Sequence, residues 1–558
     1  MKKLLSFLLA MVCLCASACV IPSGGNASAI AAEDAGEVLV PVNDIDAVYI
    51  DISTSIIRES YRDCTIRVVD IYGKTVEDTG SSIKIRGNST SSGAKKPYNF
   101  KFSGKTDILG LGKAKKWCLL ANCYEKTLIR NEMVFDFARN STCLEYTPDS
   151  KFVDVYLNGV LQGNYVLCEA VEAGSTRVDI DTDNNEFLLE RDVRDDEGTV
   201  YFTSPVFGIR FGINEPEEPT AEQLEWLMDF LTKAENALKS KNMTEVEKYF
   251  DIDSIVDFYI IMEYFKQVDV SVGSTRFYIK DGKIHGGPVW DFDLTMGNCL
   301  ASYYTAYNNV GGSGKSCEGI YCNVDWFYRF NSINAFVEKR NARYLELQDA
   351  IVNLYTDTGK GENYMDKTIE ANELSFKRNY KEAGWKIDIT YNTFERLPDK
   401  TYEENVQYLR TWLEERNEWL LKNWNLTTKA YVNPYTSSGL EIDGAFIYGL
   451  EEKLTEKDCE KLFNNTVSVD SAYTYVGTGA TVKNQGLSYT FVVKGDINGN
   501  GKVDANDYLI ARRTVLLTYE PSELALEAAD VDGSGSVTAT DYLMIRRHVI
   551  GRLDIYGE

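Results

Sequence analysis

The chain has 558 residues, enough for three or four domains and at least one large core, so a single small module is excluded. Its 84 acidic against 59 basic residues give a formal charge of −25 and a pI near 4.7, a balance that repels nucleic-acid backbones and anionic lipid. The two histidines, His285 and His548, lie far apart and exclude a multi-histidine zinc site; Ser-His-Asp chemistry has only His285 to rest on and no Gly-x-Ser-x-Gly elbow.

Residues 1–32 read as a signal peptide: Lys2 and Lys3 precede an apolar stretch from Leu4 to about Ala18 that is too short to span a bilayer. Ala16-Ser17-Ala18 suits a signal peptidase, with a lipid anchor on Cys19 as the alternative. The mature chain is expected outside the cell, with no transmembrane segment. Beyond the leader remain nine cysteines, an odd and irregularly spaced set. Cys118 with Cys123, and Cys317 with Cys322, are close enough for local disulfides and equally compatible with free thiols.

A large domain is expected over residues 37–426, with strands in its first half and helices in its second, an α+β arrangement. Ser81 to Arg86 alternates, and so do Tyr98, Phe100 and Phe102 with Asn99 and Lys101 between them, so one face packs and the other is polar. Thr220-Ala-Glu-Gln is a capping box, followed at helical spacing by Leu224, Leu227, Met228, Leu231 and Leu238. A second helix is predicted over Asp253 to Lys266, and a third is marked by Val406, Leu409, Leu413 and Leu420. Asp281-Gly282, between Phe277–Lys280 and Lys283–His285, predicts a type I′ hairpin in which His285 is a structural residue.

The next segment, GGPVWDFDLTMGN, carries the chemistry. If VWDFD runs extended, Asp291 and Asp293 point to one side and Phe292 into the core. Two like charges so close need a cation between them, and magnesium carrying substrate phosphates suits them better than an all-protein calcium cage. Spacing alone fits solvated or arginine-paired carboxylates as well; Trp290 and Phe292 argue for partial burial. Residues 427–494 read as a linker and a small β-rich module, with short strands in VSVDSAYTYVGTGATVKN and LSYTFVVKGD and an expected spacer role.

Residues 495–558 repeat themselves. GDINGNGKVDANDYLIARRTV and ADVDGSGSVTATDYLMIRRHV align, each a twelve-residue oxygen-rich loop followed by a helix. Asp496, Asn498, Asn500, the Lys502 carbonyl, Asp504 and Asp507 occupy the calcium-loop positions of the first copy. Asp530, Asp532, Ser534, the Ser536 carbonyl and Asp541 do so in the second, giving two calcium sites in an all-α module with paired EF-hand-like loops. This stretch resembles a dockerin, whose position-12 ligand is likewise Asp. The resemblance implies docking to a cohesin module of a cellulosome scaffold, with Ala505-Asn506 and Ala539-Thr540 at the cohesin-selecting positions.

RGNST at 86–90, KKPYNFKF at 95–102, LLANCYEKTLIRNEMVFDFAR at 119–139, VDVYLNGVLQGNYVLCEAVE at 153–172, FLLERD at 187–192 and GGPVWDFDLTMGN together resemble the CotH kinase family, named for a spore-coat protein H. The resemblance implies a two-lobed, atypical-kinase-like domain binding ATP and magnesium between its lobes. By it, Asp269 of KQVDVSVGSTRFY is the catalytic residue, and Asp291, with Asp293 beside it, holds the metal. Arg86, Lys96 and Lys101 fall to the ATP phosphates, and Glu190 to one of those cations or to a second metal contact. Ser274 stands where kinase-like loops often have a metal-binding Asn.

Three functions of different class follow: an exported kinase-like enzyme acting on a protein hydroxyl, a non-catalytic structural or binding component of a cellulosome, and a carbohydrate-active enzyme using paired acids. Docking on a scaffold is common to all three.

Overall fold

The computed structural model describes residues 41–194, 198–300, 314–356, 363–426, 434–443, 445–463, 467–484 and 487–557; the expected leader and Cys19 lie outside them. Seven strands, β1 (Asp46–Asp51), β2 (Arg62–Val69), β3 (Thr75–Ile85), β4 (Tyr98–Asp107), β5 (Lys113–Leu120), β6 (Ser150–Leu157) and β7 (Val160–Glu169), close into a barrel in the order β1-β2-β3-β4-β5-β7-β6. Parallel pairing of β1 with β6 closes it. The two-residue period places Ile83, Phe100 and Trp117 side by side on the packed face, all fully buried. Lys84, Asn99 and Cys118 share the other face by the same register.

A second sheet follows in the order β12-β11-β8-β10-β9, made of β8 (Phe187–Arg191), β9 (Val200–Thr203), β10 (Arg210–Glu215), β11 (Thr275–Lys280) and β12 (Lys283–Gly286). Lys280 faces Lys283 across the hairpin, and Asp281 (φ 50°) and Gly282 (φ 72°) both adopt the left-handed conformation a type I′ turn requires. His285 stacks on Tyr278, ring centroids 4.8 Å apart.

Helix Ala221–Ser240 starts at the Thr220–Gln223 capping box, and Tyr402–Asn423 at a second one, Thr401–Glu404; each side-chain cap is worth about 1 kcal/mol. Leu227, Leu231 and Leu238 of the first and Leu409, Leu413 and Leu420 of the second face the core. Helix Ile252–Tyr264 is buried at every residue but Asp253, so it lies inside the domain rather than on its surface. It stops two residues short of the expected end because Lys266 (φ 55°) turns the chain out. One apolar cluster runs from Val48 to Leu420 and unites the barrel, the second sheet and these helices.

The β-rich segment forms a third sheet, β13-β14-β17-β16-β15, from β13 (Glu441–Asp443), β14 (Phe446–Tyr448), β15 (Ser468–Asp470), β16 (Thr481–Asn484) and β17 (Leu487–Phe491). It includes a short helix, Glu456–Glu460, that strand patterning does not reveal; Cys459 anchors it in the module's own apolar cluster. The tail is helical, with helices Ala505–Val515, Glu523–Ala529 and Ala539–Val549 around a third cluster.

All nine cysteines outside the leader are free thiols, so neither local pair is bridged. The neighbour of Cys118 is Cys168, directly opposite it across β5 and β7, not Cys123. Among the described residues no helix is long and apolar enough to cross a membrane.

Candidate functional site

Asp269 lies just past the buried helix Ile252–Tyr264. Between them stands Gln267, fully buried, whose side-chain Nε2 donates to the carbonyls of Trp290 (2.9 Å) and Asp291 (2.8 Å). Its Oε1 accepts the Asp269 N–H at 3.1 Å. A single amide thus ties the Asp269 segment to the Asp291 segment, and burial leaves it no competing water.

Residues 289–293 do not run extended. Asp291 is left-handed (φ 68°), and the segment belongs to no strand. Phe292 still turns into the core, its ring 6.3 Å from that of Phe265 and its N–H held by Asn131 Oδ1 at 2.7 Å. Asp291 and Asp293 are therefore brought near one another by a kink rather than by a two-residue period. Asp293 is buried, and burial first, then the charges of Asp291 and Asp269, push its carboxyl well above the usual range. Asp269 and Asp291 are half-buried, and the charge that the two place on buried Asp293 is one a divalent ion would relieve.

A second layer surrounds this set. Ser274, itself left-handed (φ 58°), donates its hydroxyl to Asp291 Oδ2 at 3.2 Å and its N–H to Glu190 Oε1 at 2.9 Å. Glu190 sits opposite Arg276 across β8 and β11, and its Oε2 accepts from Arg276 Nη2 at 2.9 Å. The cations beside it are Arg276, set there by strand register, and Arg194, whose Nη2 stands 4.0 Å from Glu190 Oε1. The guanidinium of Arg276 lies 5.6 Å from the Trp290 ring centre and that of Arg86 5.0 Å from the same ring. Arg276 Nη1 and Arg86 Nε are both buried without a hydrogen-bond partner among the described residues.

A narrow cleft is lined by Arg86, Thr90, Asn122, Trp290, Asp291 and Asp293; at about 20 Å³ its free volume has room for an ion or a water. Lys96 is held elsewhere, donating to the Ser91 carbonyl at 2.8 Å. Lys101 lies over the Tyr61 ring at 4.2 Å, and burial, then Lys116 and Lys84, hold its ammonium pKa below the usual value. A cavity of about 740 Å³, walled in part by Glu132, Asp136 and Asp349, shares no residue with the carboxylate cleft. Sequence reasoning misses Gln267, Asn131 and Arg276. Only Arg276 carries a signal, as a cation on a strand that begins one residue after Ser274.

In the tail, Asp530, Asp532 and Asp541 bring carboxylate oxygens within 4.8 Å of one another, an all-oxygen set that suits calcium. Asp530 is oriented by the N–H groups of Ser534 (2.9 Å) and Gly535 (2.6 Å). The first loop repeats this: Asp496 accepts from Asn500 (3.0 Å) and Gly501 (2.9 Å), and Asp507 from Ile497 (2.9 Å), Asn498 (3.0 Å) and Asp504 (2.9 Å). Asn498 and Asn500 each accept one loop N–H, while the Asp504 side chain caps helix Ala505–Val515. Ser534 donates its hydroxyl to the Ser536 carbonyl at 3.1 Å.

Two family models match the chain: CotH kinase protein over residues 83–420 and the dockerin type I domain over residues 494–550. Among curated proteins, none matches.

Proposed function

As the chain belongs to the CotH kinase protein family and carries a type I dockerin domain, we propose that it is an exported protein, docked through its calcium-dependent tail to a scaffold cohesin, that transfers phosphate from ATP to a protein hydroxyl. The observation that carries the reading is the charge that Asp269 and Asp291 place on buried Asp293, bordered by two guanidinium groups that each keep one buried, unused donor.

Asp291 and Asp293 would hold magnesium, which supplies charge neutralisation for phosphoryl transfer. The cleft has room for an ion, and Arg86, which lines it, and Arg276, stacked on the Trp290 ring beside it, are the groups that would meet the nucleotide's phosphates. Arg86 Nε and Arg276 Nη1 would donate to phosphate oxygens, and Glu190 and Trp290 hold the Arg276 fork in place. Asp269 orients the acceptor hydroxyl and takes its proton as the hydroxyl oxygen bonds to the γ-phosphorus, and ADP leaves with the broken bond's electron pair. Ser274 holds Asp291 rather than adding a strong second-metal ligand. Lys96 and Lys101 play no part in this account, since both are engaged outside the cleft.

The test is radiolabelled ATP with magnesium and secreted proteins. The full chain is expected to bind ATP and label an acceptor, and Asp269→Ala and Asp291→Ala to lose the label. Absence of both binding and label overturns the enzyme and leaves a scaffold-docked binder, while release of reducing sugar without ATP points to a carbohydrate-active enzyme.

A further inference from the structure

We propose that the β-rich module is the outer half of the first calcium site rather than a spacer, so that calcium binding in loop 496–507 and docking of the module are linked. The inference rests on the reading of the tail as calcium-binding and adds to it a role for residues of the preceding module.

The two loops have alike internal hydrogen bonds and unlike surroundings. Asp496, the first ligand of loop one, is fully buried, and its Oδ2 accepts a hydrogen bond from the N–H of Thr478 at 3.0 Å, a residue of the β-rich module. Around it, Lys453 donates its N–H to the Gly501 carbonyl at 2.8 Å, and Glu452 Oε2 accepts the Val503 N–H at 2.8 Å. The Lys502 ammonium lies 5.0 Å from the Tyr475 ring centre. At the far end Tyr556 donates to the Lys494 carbonyl at 2.9 Å and packs against both apolar clusters. His548 Nε2 stands 3.5 Å from Glu452 Oε1.

The approach is close enough to require glycine on both sides. A Cβ at Gly477 would collide with Asp496 Oδ2 and the Gly501 nitrogen, and one at Gly501 would lie 2.6 Å from Tyr475 Cβ. In loop two, a Cβ at Gly533 or Gly535 meets nothing within 4 Å, and Asp532 is exposed. Loop one is covered and loop two is open.

A metal-binding carboxylate is tuned by the donors that orient it, and Thr478 supplies one that lies outside the loop. Because binding free energies are reciprocal, whatever the docked module adds to calcium affinity at loop one, calcium adds to the docking of the module.

The experiment titrates the full chain with calcium alone. Two binding steps are expected, and Asp532→Ala, which removes a ligand of loop two, identifies the step that belongs to loop one. In that background Gly477→Val is expected to weaken the remaining step about 10–100-fold, as loss of an outer donor to a metal ligand does. Glu452→Gln, nearly isosteric and a safeguard if the valine disturbs folding, should weaken it to a smaller extent. Hydrogen exchange at residues 475–479 should slow when calcium is added. An unchanged loop-one affinity in both variants, or exchange indifferent to calcium, overturns the linkage. No calcium binding by the unaltered chain overturns the reading of the tail itself, a result distinct from either.

Discussion

In the tail, the carboxylates of Asp530, Asp532 and Asp541 meet within one twelve-residue loop, and Asp532 stands exposed, its carboxyl held below the usual range first by its hydrogen bond with Ser534. In the large domain, Gln267 pins the Asp269 and Asp291 segments together inside the protein, Asp293 feels the charges of both, and burial drives its carboxyl the other way. Of the two sets, the tail's is the one whose carboxylate oxygens already lie within 4.8 Å of one another. The local set is organised by its own backbone and opens to water, where a chelator can compete; the tertiary set exists only when the domain is folded and is reached through a narrow cleft. If the two are independent, each should fail alone.

The largest expected effect is at the tertiary set. Asp291→Ala should lower phosphate transfer by a factor on the order of 10³, as removal of a group that stabilises transition-state charge does. Cohesin capture by the same variant should be unchanged, and loss of capture would mean that the two sets are not independent. Next is calcium removal: in excess chelator the tail should lose cohesin capture, because the ligands' mutual repulsion is no longer offset. ATP binding, measured in the same sample, should persist. Smaller still is Arg276→Gln, expected to weaken ATP binding by roughly 10–100-fold, the worth of a hydrogen bond to a charged group, with adenosine binding unaltered. Equal losses for ATP and adenosine would show that Arg276 shapes the domain rather than meeting phosphate.

The same contrast governs what is legible in the sequence. Calcium-loop spacing and the Thr220–Gln223 capping box are readable because each interaction closes within twelve residues and depends on little beyond local backbone geometry. The Asp-x-Asp pair is noticeable, but an alternating period gives it the wrong backbone path, since the left-handed turn at Asp291 is held by Gln267 from 24 residues away. The ion pair of Glu190 with Arg276 goes unread for a related reason: Arg276 becomes its neighbour only through the register of β8 with β11. The cover that the β-rich module places over loop one is invisible in strand patterning, because it runs through backbone N–H groups such as that of Thr478, which any residue but proline supplies.

Burial alone, with no metal to invoke, can be measured at Glu132. Its side chain is largely buried, 12% exposed, accepts from the Ser150 hydroxyl and lies 3.5 Å from Arg139; desolvation first raises its pKa from 4.5 to about 7 in spite of both partners. A carboxyl whose pKa is higher folded than unfolded favours folding fully below pH 4.5 and loses that contribution as the pH rises through about 7. Glu132→Gln removes the ionisation. Relative to the parent, the variant should therefore gain stability between pH 5 and 8, by on the order of 3 kcal/mol at most, read from denaturant midpoints across that range. A flat difference would mean that Ser150 and Arg139 already compensate the buried charge. The strain assigned to Asp293 would then owe less to burial than to Asp291 and Asp269 beside it.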